Sequence, residues 1–377
     1  MKTEFDRLLR PQIRAFAPYL PGRSMESVRR ERGLRRILKL ASNENPLGPS
    51  PRALRALRRV GPGFLRYPDG ASTALREALA RKWKVPARRV IAGAGSDELI
   101  ELLGKAFLNP GDSVVVSEHA FLRYRMAAEL MGAGVITVPM RRYTHDLPAM
   151  GAALRADTKL LFIANPNNPT GTYNARAELS ALLERVERAN RARRAPVLVV
   201  VDEAYYEYAR ALAPDYPDTL ALQKRYACLL TLRTFSKAHA LAGLRIGYGL
   251  GEPAVIAALD RVRPPFNVSI AAQVSAQASL GDEAHLRRSV RLVESQRKEI
   301  LPVLARWGLP VVPSVGNFFL VDVSPRRGAE LFEKLLDRGI IVRSMDEYGY
   351  PNHVRVTYGL PQENRKFLQA LKEVLGK

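Results

Sequence analysis

Residues 231–245 read Thr-Leu-Arg-Thr-Phe-Ser-Lys-Ala-His-Ala-Leu-Ala-Gly-Leu-Arg and contain one lysine, Lys237, in an unusual setting. The hydroxyl residues Thr234 and Ser236 lie just before the lysine, a run of small residues follows it, and Arg245 comes eight positions later. A single lysine is usually a solvated surface residue. A chemical role for Lys237 therefore has to be supported by residues elsewhere in the chain.

The composition indicates a globular protein in a reducing compartment. The chain has 377 residues, of which 47% are apolar, enough for two or more domains with sizeable cores. The single cysteine, Cys228, excludes an intramolecular disulfide and lies in an apolar run where we expect it to be buried. We find no secretory signal and no apolar run long enough to span a bilayer. We therefore expect a cytoplasmic location and no membrane partner.

The formal net charge of +22 is large, and the distribution of the basic residues limits which classes of binding partner it indicates. Eight Arg-Arg pairs are scattered along the chain, whereas a dedicated nucleic-acid module would more often cluster them. Zinc-finger spacing and RNP-type aromatic motifs are both missing from the sequence. We expect no nucleic-acid partner, and a positive field that would concentrate phosphorylated ligands. The five histidines show no metal-ligand spacing, so no metal site is predicted.

Short apolar runs alternate with helical stretches from Val90 onward. The runs are Val90–Ala92, Ser113–Ser117, Gly134–Val138, Lys159–Ala164, Pro196–Val201 and Cys228–Leu232. Continuous Val, Ile and Leu runs separated by helices favour an α/β fold with a mainly parallel sheet buried on both faces. After residue 264 the pattern changes to a long helical stretch from Ser269 to Trp307, interrupted near Gly281, and then to shorter strands and helices. We predict a large domain over residues 46–264 and a smaller α+β domain from residues 1–45 and 265–377.

Two loops that follow predicted strands have the composition of ligand-binding loops, since ligands in open α/β sheets bind beyond the carboxyl ends of strands. Gly93-Ala-Gly-Ser-Asp-Glu98 opens a helix, where free N–H groups suit a phosphate and Ser96 is a candidate for the helix cap and an anion contact. Taken alone, this stretch is better explained as an ordinary glycine-rich turn with a helix cap. Asn165-Pro-Asn-Asn-Pro-Thr-Gly171 is either a rigid turn or a set of fixed Asn donors.

Asp202 ends the most apolar run, Val199-Val-Val-Asp202, and a carboxylate there needs a partner. A protonated ring nitrogen would be one such partner, and Tyr205 lies three residues on, within reach of the same ligand. A helix cap or a salt bridge is the alternative.

Together these motifs resemble the fold-type I enzymes that use pyridoxal 5'-phosphate, and most closely the histidinol-phosphate aminotransferase family. The matching stretches cover residues 18 to 357 and are Pro18-Tyr-Leu-Pro-Gly22, Leu40-Ala-Ser-Asn-Glu-Asn-Pro-Leu-Gly48, Arg66-Tyr-Pro-Asp-Gly70, Gly95-Ser-Asp-Glu98, Asn165-Pro-Asn-Asn-Pro-Thr-Gly171, Val201-Asp-Glu-Ala-Tyr205, Thr234-Phe-Ser-Lys237, Leu241-Ala-Gly-Leu-Arg-Ile-Gly-Tyr248, Arg343 and His353-Val-Arg-Val-Thr357. The resemblance implies a mainly parallel sheet in a large domain, beside a smaller α+β domain.

The resemblance implies a role for each cofactor-side residue. Lys237 resembles the lysine that forms the Schiff base with the cofactor and later moves the substrate proton. Asp202 resembles the partner of the pyridinium nitrogen, and Asn168 and Tyr205 resemble the pair that hydrogen-bonds the phenolic oxygen. Phe121 occupies the position of the ring-stacking aromatic, although many relatives have Tyr nearby. The residues that resemble the phosphate site are Gly95, Ser96, Thr234 and Arg245, with Ser236 as an additional contact, and Asp97 is assigned to cofactor binding as well.

On the substrate side, Arg355 resembles the arginine that binds the substrate's anionic group. Arg343 and Tyr19 resemble the further contacts that relatives make to a substrate phosphate, and two arginines suit a dianion better than a lone carboxylate. Asn43 and Asn168 are assigned to the substrate as well. Tyr67 resembles a residue that the neighbouring subunit supplies, which implies a homodimer.

The preferred function is amino-group transfer between L-histidinol phosphate and 2-oxoglutarate. An aminotransferase acting on aromatic or other amino acids is the first alternative, and decarboxylation of a phosphorylated amino acid is the second. A noncatalytic nucleic-acid-binding relative is disfavoured because a binding module has no use for Lys237, Asp202 and Asn168 together.

Overall fold

The computed structural model describes residues 4–14, 16–19 and 21–377. Its α-helices, numbered α1 to α15 in chain order, are Pro11–Arg14, Met25–Arg32, Pro51–Arg58, Thr73–Trp83, Ser96–Phe107, Arg123–Leu130, Leu147–Ala152, Arg176–Arg191, Tyr206–Leu212, Thr219–Leu222, Pro253–Val262, Ile270–Leu280, Glu283–Arg306, Gly328–Leu336 and Pro361–Leu375. Its strands, numbered β1 to β15, are Leu38–Lys39, Val90–Gly93, Ser113–Ser117, Gly134–Val138, Met140–Arg141, Thr144–His145, Thr158–Ala164, Leu198–Asp202, Leu229–Thr234, Gly247–Leu250, Val311–Val312, Phe318–Asp322, Ile340–Ile341, Arg343–Ser344 and His353–Thr357.

The central sheet has seven strands within the described chain, in the order β2-β10-β9-β8-β7-β3-β4. All neighbouring pairs are parallel except those that β10 makes with β2 and β9. The predicted α/β fold with a mainly parallel sheet is therefore confirmed.

Both faces of this sheet are buried, as the continuous apolar runs predicted. On β8, Val200 packs into the cluster that contains Leu99 and Leu103 of α5. Its neighbours Val199 and Val201 point the other way, into the cluster around α8. The burial of such an aliphatic side chain stabilises the fold by roughly 1.5–3 kcal/mol. Two helical layers therefore hold the strand ends in fixed positions.

The antiparallel strand β10 was not predicted, because two of its four residues are glycines, Gly247 and Gly249, which lower strand propensity. The structure shows why Gly247 is needed. A Cβ atom there would lie 2.5 Å from the backbone nitrogen of Ser96 and 2.9 Å from the carbonyl oxygen of Arg233. Close backbone approach therefore allows β10 to lie between β2 and β9.

A smaller antiparallel sheet, β11-β12-β15-β14, follows the central one, with helix α14 packed against β15. Strand β1 near the N-terminus pairs with β13, so the N-terminal segment joins this part of the molecule. The predicted break in the long helical stretch is confirmed: α12 ends at Leu280 and Asp282 caps α13. Helix α12 packs against α3 and α4. The division of the chain at residue 264 stays a prediction.

Candidate active site

One pocket collects nearly all the predicted site residues. It lies where β7, β8 and β9 end, and residues of β14 and β15 line it too. The predicted residues that line it are Tyr19, Asn43, Ser96, Asp97, Phe121, Asn168, Asp202, Tyr205, Thr234, Ser236, Lys237, Arg245, Arg343 and Arg355. Tyr19 and Arg355, which are 336 positions apart in sequence, thus lie in one pocket with residues from the strand ends, because parallel strands present their carboxyl ends at one edge.

An anion cradle forms one part of the pocket. Helix α5 begins at Ser96, and Gly95 with a φ of 85° occupies the cap position, so the expectation that Ser96 caps the helix is wrong. A Cβ atom on Gly95 would lie 2.4 Å from Nη2 of Arg245, so only glycine lets the guanidinium lie against this turn. Arg245 Nη1 donates to Ser236 Oγ at 3.4 Å. The helix N-terminus, the hydroxyl and the guanidinium together suit a phosphate.

Thr234 completes this cradle. It is the last residue of β9, and its Oγ1 donates to Ser236 Oγ at 3.0 Å and accepts from the Ser236 backbone N–H at 3.1 Å. These bonds fix the turn between the end of the strand and Lys237. The hydroxyl groups that precede the lysine in sequence therefore face the same pocket as Arg245.

Asp202 lies at the end of β8 and is buried. Its Oδ2 accepts a hydrogen bond from the Tyr124 hydroxyl at 2.9 Å. Its Oδ1 has no hydrogen-bond partner within the described part of the chain. Burial raises the pKa of Asp202 to about 6, against the opposing effect of the Tyr124 hydrogen bond. A buried carboxylate oxygen without a donor is costly unless a ligand supplies one.

Lys237 is half-buried, and its Nζ donates to the backbone carbonyl of Ser42 at 2.9 Å. Desolvation, with the nearby charges of Arg355 and Arg245, lowers the pKa of Lys237 to about 7. An amine with this pKa is largely deprotonated just above neutral pH. Lys237 is therefore a competent nucleophile towards an aldehyde and a competent base.

Tyr205 and Asn43 form a buried pair beside the lysine. Asn43 Nδ2 donates to the Tyr205 hydroxyl oxygen at 2.8 Å, and Asn43 also accepts from the Thr357 hydroxyl at 3.1 Å. Burial raises the pKa of Tyr205 to about 12, so the hydroxyl stays protonated and can donate to a ligand. Asn43 thus connects the N-terminal loop, β15 and the pocket.

Arg355 is held in place by the chain itself. Its Nη1 donates to Asn168 Oδ1, and its Nη2 donates to the backbone carbonyl of Ala41 at 2.6 Å. Phe318 packs against the guanidinium, with its ring centre 5.4 Å from Cζ. Because these contacts fix the orientation of the guanidinium, Arg355 is prepared to bind an anion in the pocket.

For three predicted residues, the structure gives weaker support for a role in the pocket. Phe121 lines the pocket and meets the Tyr124 ring edge-on, with centroids 5.7 Å apart. Asp97 also lines it, but its carboxylate accepts from Arg123 Nε at 2.6 Å. Tyr67 does not line the pocket: it is 81% exposed and stacks on Phe266 at 4.6 Å.

Two contacts in the pocket were not predicted from the sequence. Tyr124, which donates to Asp202, follows Phe121 by three residues, and that helical spacing was the available signal. The Ser42 carbonyl that holds Lys237 left no signal, because any residue supplies a backbone oxygen.

The pocket fits pyridoxal phosphate. Ser96, Thr234, Ser236 and Arg245 would hold its phosphate, and the unpaired Oδ1 of Asp202 would accept from its protonated ring nitrogen. The Lys237 amine in the same pocket is the group that an aldehyde requires.

Metal and membrane features are lacking in residues 4–14, 16–19 and 21–377. These residues contain no group of three or more His, Cys, Asp or Glu side chains that could hold a metal ion. Nor does any of the helices that they form combine the length and apolarity needed to cross a bilayer.

Comparisons with known proteins agree with the geometry. The model of the family "Aminotransferase class I and II" matches residues 35–371. The chain is 46% identical over 370 residues to a histidinol-phosphate aminotransferase of Anaeromyxobacter sp. (strain Fw109-5), covering 98% of this chain and 99% of that protein. It is 45% identical over 368 residues to a histidinol-phosphate aminotransferase of Moorella thermoacetica, covering 97% of this chain and 92% of the relative.

A solved structure extends the comparison to three dimensions. The crystal structure of histidinol-phosphate aminotransferase from Sinorhizobium meliloti in complex with pyridoxal-5'-phosphate has a TM-score of 0.86 to this chain at 27% identity. The match covers 98% of this chain and 97% of the other. The protein therefore belongs to the class I and II aminotransferases and, within them, to the histidinol-phosphate aminotransferase family.

Proposed function

We propose that this protein uses pyridoxal 5'-phosphate to transfer the amino group of L-histidinol phosphate to 2-oxoglutarate. The observation that carries the substrate assignment is the presence of two arginines, Arg343 and Arg355, in the wall of the pocket that holds Lys237. Two guanidinium groups suit a phosphate dianion better than a single carboxylate. The names of the relatives at 45–46% identity support the same substrate.

The cofactor, when bound, supplies the electron sink that lets the carbon bearing the amino group lose a proton. The residues of the chain do the rest. Asp202, when ionised, holds a proton on the ring nitrogen through its unpaired oxygen. Lys237, with a pKa of about 7, accepts the proton from substrate carbon and returns it. Arg355, fixed by Asn168, orients the substrate's anionic group.

The test is to mix the cofactor-loaded protein separately with L-histidinol phosphate, L-phenylalanine and O-phosphothreonine. The absorbance of the bound cofactor is followed in each case. Rapid conversion with L-histidinol phosphate, and restoration of the spectrum by 2-oxoglutarate, is expected. Conversion with phenylalanine alone would favour an aromatic aminotransferase, and carbon dioxide release from phosphothreonine would favour a decarboxylase. A Lys237→Ala protein is the control and should convert none of them.

We further propose that the protein is a homodimer in which Tyr67 contacts the neighbouring pocket. Tyr67 lies outside the pocket of its own chain and is exposed. Phe64, Leu65 and Phe266 are also exposed apolar residues, and Phe266 stacks on Tyr67. Exposed apolar patches of this kind are typical of interaction surfaces.

A further inference from the structure

A buried ion pair, Arg233 with Glu203, lies behind the strand ends that form the pocket. Arg233 Nε donates to Glu203 Oε2 at 2.8 Å, and Nη2 lies 2.8 Å from the same oxygen. The side chains of Arg233 and Glu203 are only 1% and 0% exposed. Neither residue lines the pocket that holds Lys237, and the proposed reaction uses neither of them. Two charges at this depth therefore need an explanation.

Each member of the pair is adjacent in sequence to a residue of the cofactor site. Glu203 follows Asp202, the last residue of β8, and Arg233 precedes Thr234, the last residue of β9. Successive side chains at a strand point to opposite faces, so Asp202 and Thr234 reach the pocket while their neighbours reach the layer behind it. The backbone N–H of Glu203 also donates to the carbonyl of Leu232 at 2.8 Å. The pair thus joins the two strands where their site residues leave the sheet.

Two hydroxyl groups extend the ion pair to the loop that carries Asn168. The Thr219 hydroxyl donates to Glu203 Oε2 at 3.1 Å. The Tyr216 hydroxyl contacts the backbone carbonyl of Asn165 and lies 3.3 Å from Glu203 Oε1. Asn165 is the first residue after β7. The ends of three neighbouring strands, β7, β8 and β9, are therefore connected through one carboxylate.

Two aromatic rings pack against the guanidinium of Arg233. Its Cζ lies 3.5 Å from the ring centre of Tyr206 and 4.2 Å from that of Trp83. Tyr206 directly follows Tyr205, which lines the pocket. An arginine held by a carboxylate and by the faces of aromatic rings has few other orientations open to it. The guanidinium therefore fixes the carboxylate, and with it the strand ends, in one arrangement.

Stability alone does not explain this pair. The cost of removing two charges from water offsets much of their attraction, and apolar residues of similar volume often stabilise a fold equally well or better. Apolar side chains lack the directional hydrogen bonds that Glu203 makes with Arg233 and Thr219. The property that only the polar pair supplies is a fixed geometry.

We propose that Glu203 and Arg233 are positioning residues: they hold the ends of β7, β8 and β9 so that Asp202 and the turn of residues 234–237 meet opposite ends of one cofactor molecule. The inference concerns the binding of pyridoxal phosphate, and it does not depend on which amino donor the enzyme uses. Because neither residue touches the cofactor, their effect must pass through the groups next to them in sequence.

The test replaces both charges together, in a Glu203→Leu, Arg233→Met double variant, so that no charge is left buried without its partner. The thermal unfolding temperature of the apoprotein should change little, since apolar residues of similar size replace the pair. The dissociation constant of pyridoxal phosphate should rise about tenfold or more, because Asp202 and Thr234 lose their fixed spacing. A purely stabilising role predicts the reverse, a lower unfolding temperature and an unchanged dissociation constant.

Kinetics supply a second readout. The rate at which L-histidinol phosphate converts the bound cofactor is measured in a single turnover. The maximal rate should fall about tenfold or more in the double variant, because the reacting groups are less well aligned. The concentration of L-histidinol phosphate that gives half this rate should stay the same, because Arg343 and Arg355 lie on β14 and β15, outside the network.

The matched control is an Arg89→Met, Glu252→Leu double variant. This ion pair, at 2.7 Å, also joins two neighbouring strands, β2 and β10, but at the ends that lie away from the pocket. Removal of its charges should leave the dissociation constant of the cofactor and the single-turnover rate unchanged. If the control variant loses affinity and rate to the same extent, the effect is a general one and the proposal is wrong.

The proposal is also overturned if the Glu203→Leu, Arg233→Met protein folds and keeps the wild-type cofactor affinity and maximal rate. If that protein does not fold, the Tyr216→Phe variant decides, because it removes only the hydroxyl that contacts both Asn165 and Glu203. A weaker cofactor affinity and a lower maximal rate in Tyr216→Phe support the proposal, and wild-type values reject it.

Failure of this inference is distinguishable from failure of the proposed function. If the wild-type protein does not convert L-histidinol phosphate, the substrate assignment is wrong. The dissociation constants of pyridoxal phosphate still decide the role of Glu203 and Arg233, because their measurement requires no substrate.

Discussion

At the scale of single residues, the site depends on two ionisable groups whose pKa values are moved towards neutrality. Burial raises the pKa of Asp202 to about 6 and lowers that of Lys237 to about 7. Both shifts have the same cause, since a low-dielectric surrounding disfavours the charged form of an acid and of a base alike. A ligand with a cationic ring nitrogen reverses the shift for Asp202, because it supplies the missing partner of Oδ1.

The Tyr124 hydroxyl affects the pKa of Asp202, and the Tyr124→Phe variant tests this effect. The hydrogen bond from Tyr124 favours the ionised form of Asp202, so its removal raises the pKa of Asp202 further above about 6. A hydrogen bond to a charged group contributes about 1.5–3 kcal/mol, which corresponds to a shift of about one pH unit or more. We expect the affinity of the apoprotein for pyridoxal phosphate to fall at a higher pH than in the wild type.

The measurement is the dissociation constant of the cofactor between pH 5 and pH 9, by absorbance or fluorescence titration. In the wild type the affinity should decline as pH falls through about 6, because Asp202 becomes protonated. Tyr358→Phe is the control, since it deletes the hydroxyl of another buried tyrosine, whose ring packs against that of Phe319. Identical pH profiles for Tyr124→Phe and the wild type would show that the bond does not matter.

At the scale of secondary structure elements, β10 connects the cofactor site to the sheet. Gly247 lies against the backbone of the turn that precedes α5, and Gly249 lies against the side chain of Ile91. A Cβ atom at Gly247 would lie 2.5 Å from the Ser96 nitrogen, whereas at Gly249 the nearest atom is Ile91 Cγ2 at 3.1 Å. The side chain next to Gly249 can shift by a few tenths of an ångström to make room for an added methyl group. The backbone turn next to Gly247, at the N-terminus of α5, cannot shift without also displacing the proposed phosphate site.

Gly247→Ala should therefore weaken phosphate recognition, and Gly249→Ala should not. Overpacking costs roughly 1–3 kcal/mol, so we expect the dissociation constant of pyridoxal phosphate to rise about tenfold or more in Gly247→Ala. Pyridoxal, which lacks the phosphate, should bind both variants and the wild type alike. Loss of affinity for both ligands would instead indicate general misfolding, which thermal unfolding of the apoprotein would reveal.

Some of these strands could be predicted from the sequence and others could not, for different physical reasons. Strands β3, β7, β8 and β9 are continuous apolar runs, and their burial on both faces made them recognisable. Two of the four residues of β10 are glycines because backbone atoms approach this strand closely. Glycine has a low strand propensity, so the same requirement made β10 unrecognisable as a strand in the sequence. Asp202 and Lys237 could be located from their place at strand ends. The pairing of Arg343 with Glu347 could not, because it depends on how a four-residue turn folds back.

At the scale of the whole molecule, the smaller sheet and the N-terminal segment bring anion-binding groups to the edge of the central sheet. Arg355 contacts Asn168, which follows β7, and the carbonyl of Ala41, which follows β1. Three distant parts of the chain thus meet at one guanidinium. The net charge of +22 adds a long-range attraction for phosphorylated substrates. One predicted site residue, Tyr67, does not line the pocket of its own chain.

The position of Tyr67 predicts that two inactive variants restore each other's activity. In a symmetric dimer in which Tyr67 enters the partner's pocket, a heterodimer of Lys237→Ala and Tyr67→Ala chains has one pocket with both native residues. Random pairing of equal amounts should then give about a quarter of the wild-type activity, well above either parent. The control pairs Tyr67→Ala with a chain that carries both substitutions, and this mixture should gain nothing. If heterodimers form and no activity returns, Tyr67 acts within its own chain or not at all, and the exposed aromatic pair with Phe266 must have another explanation.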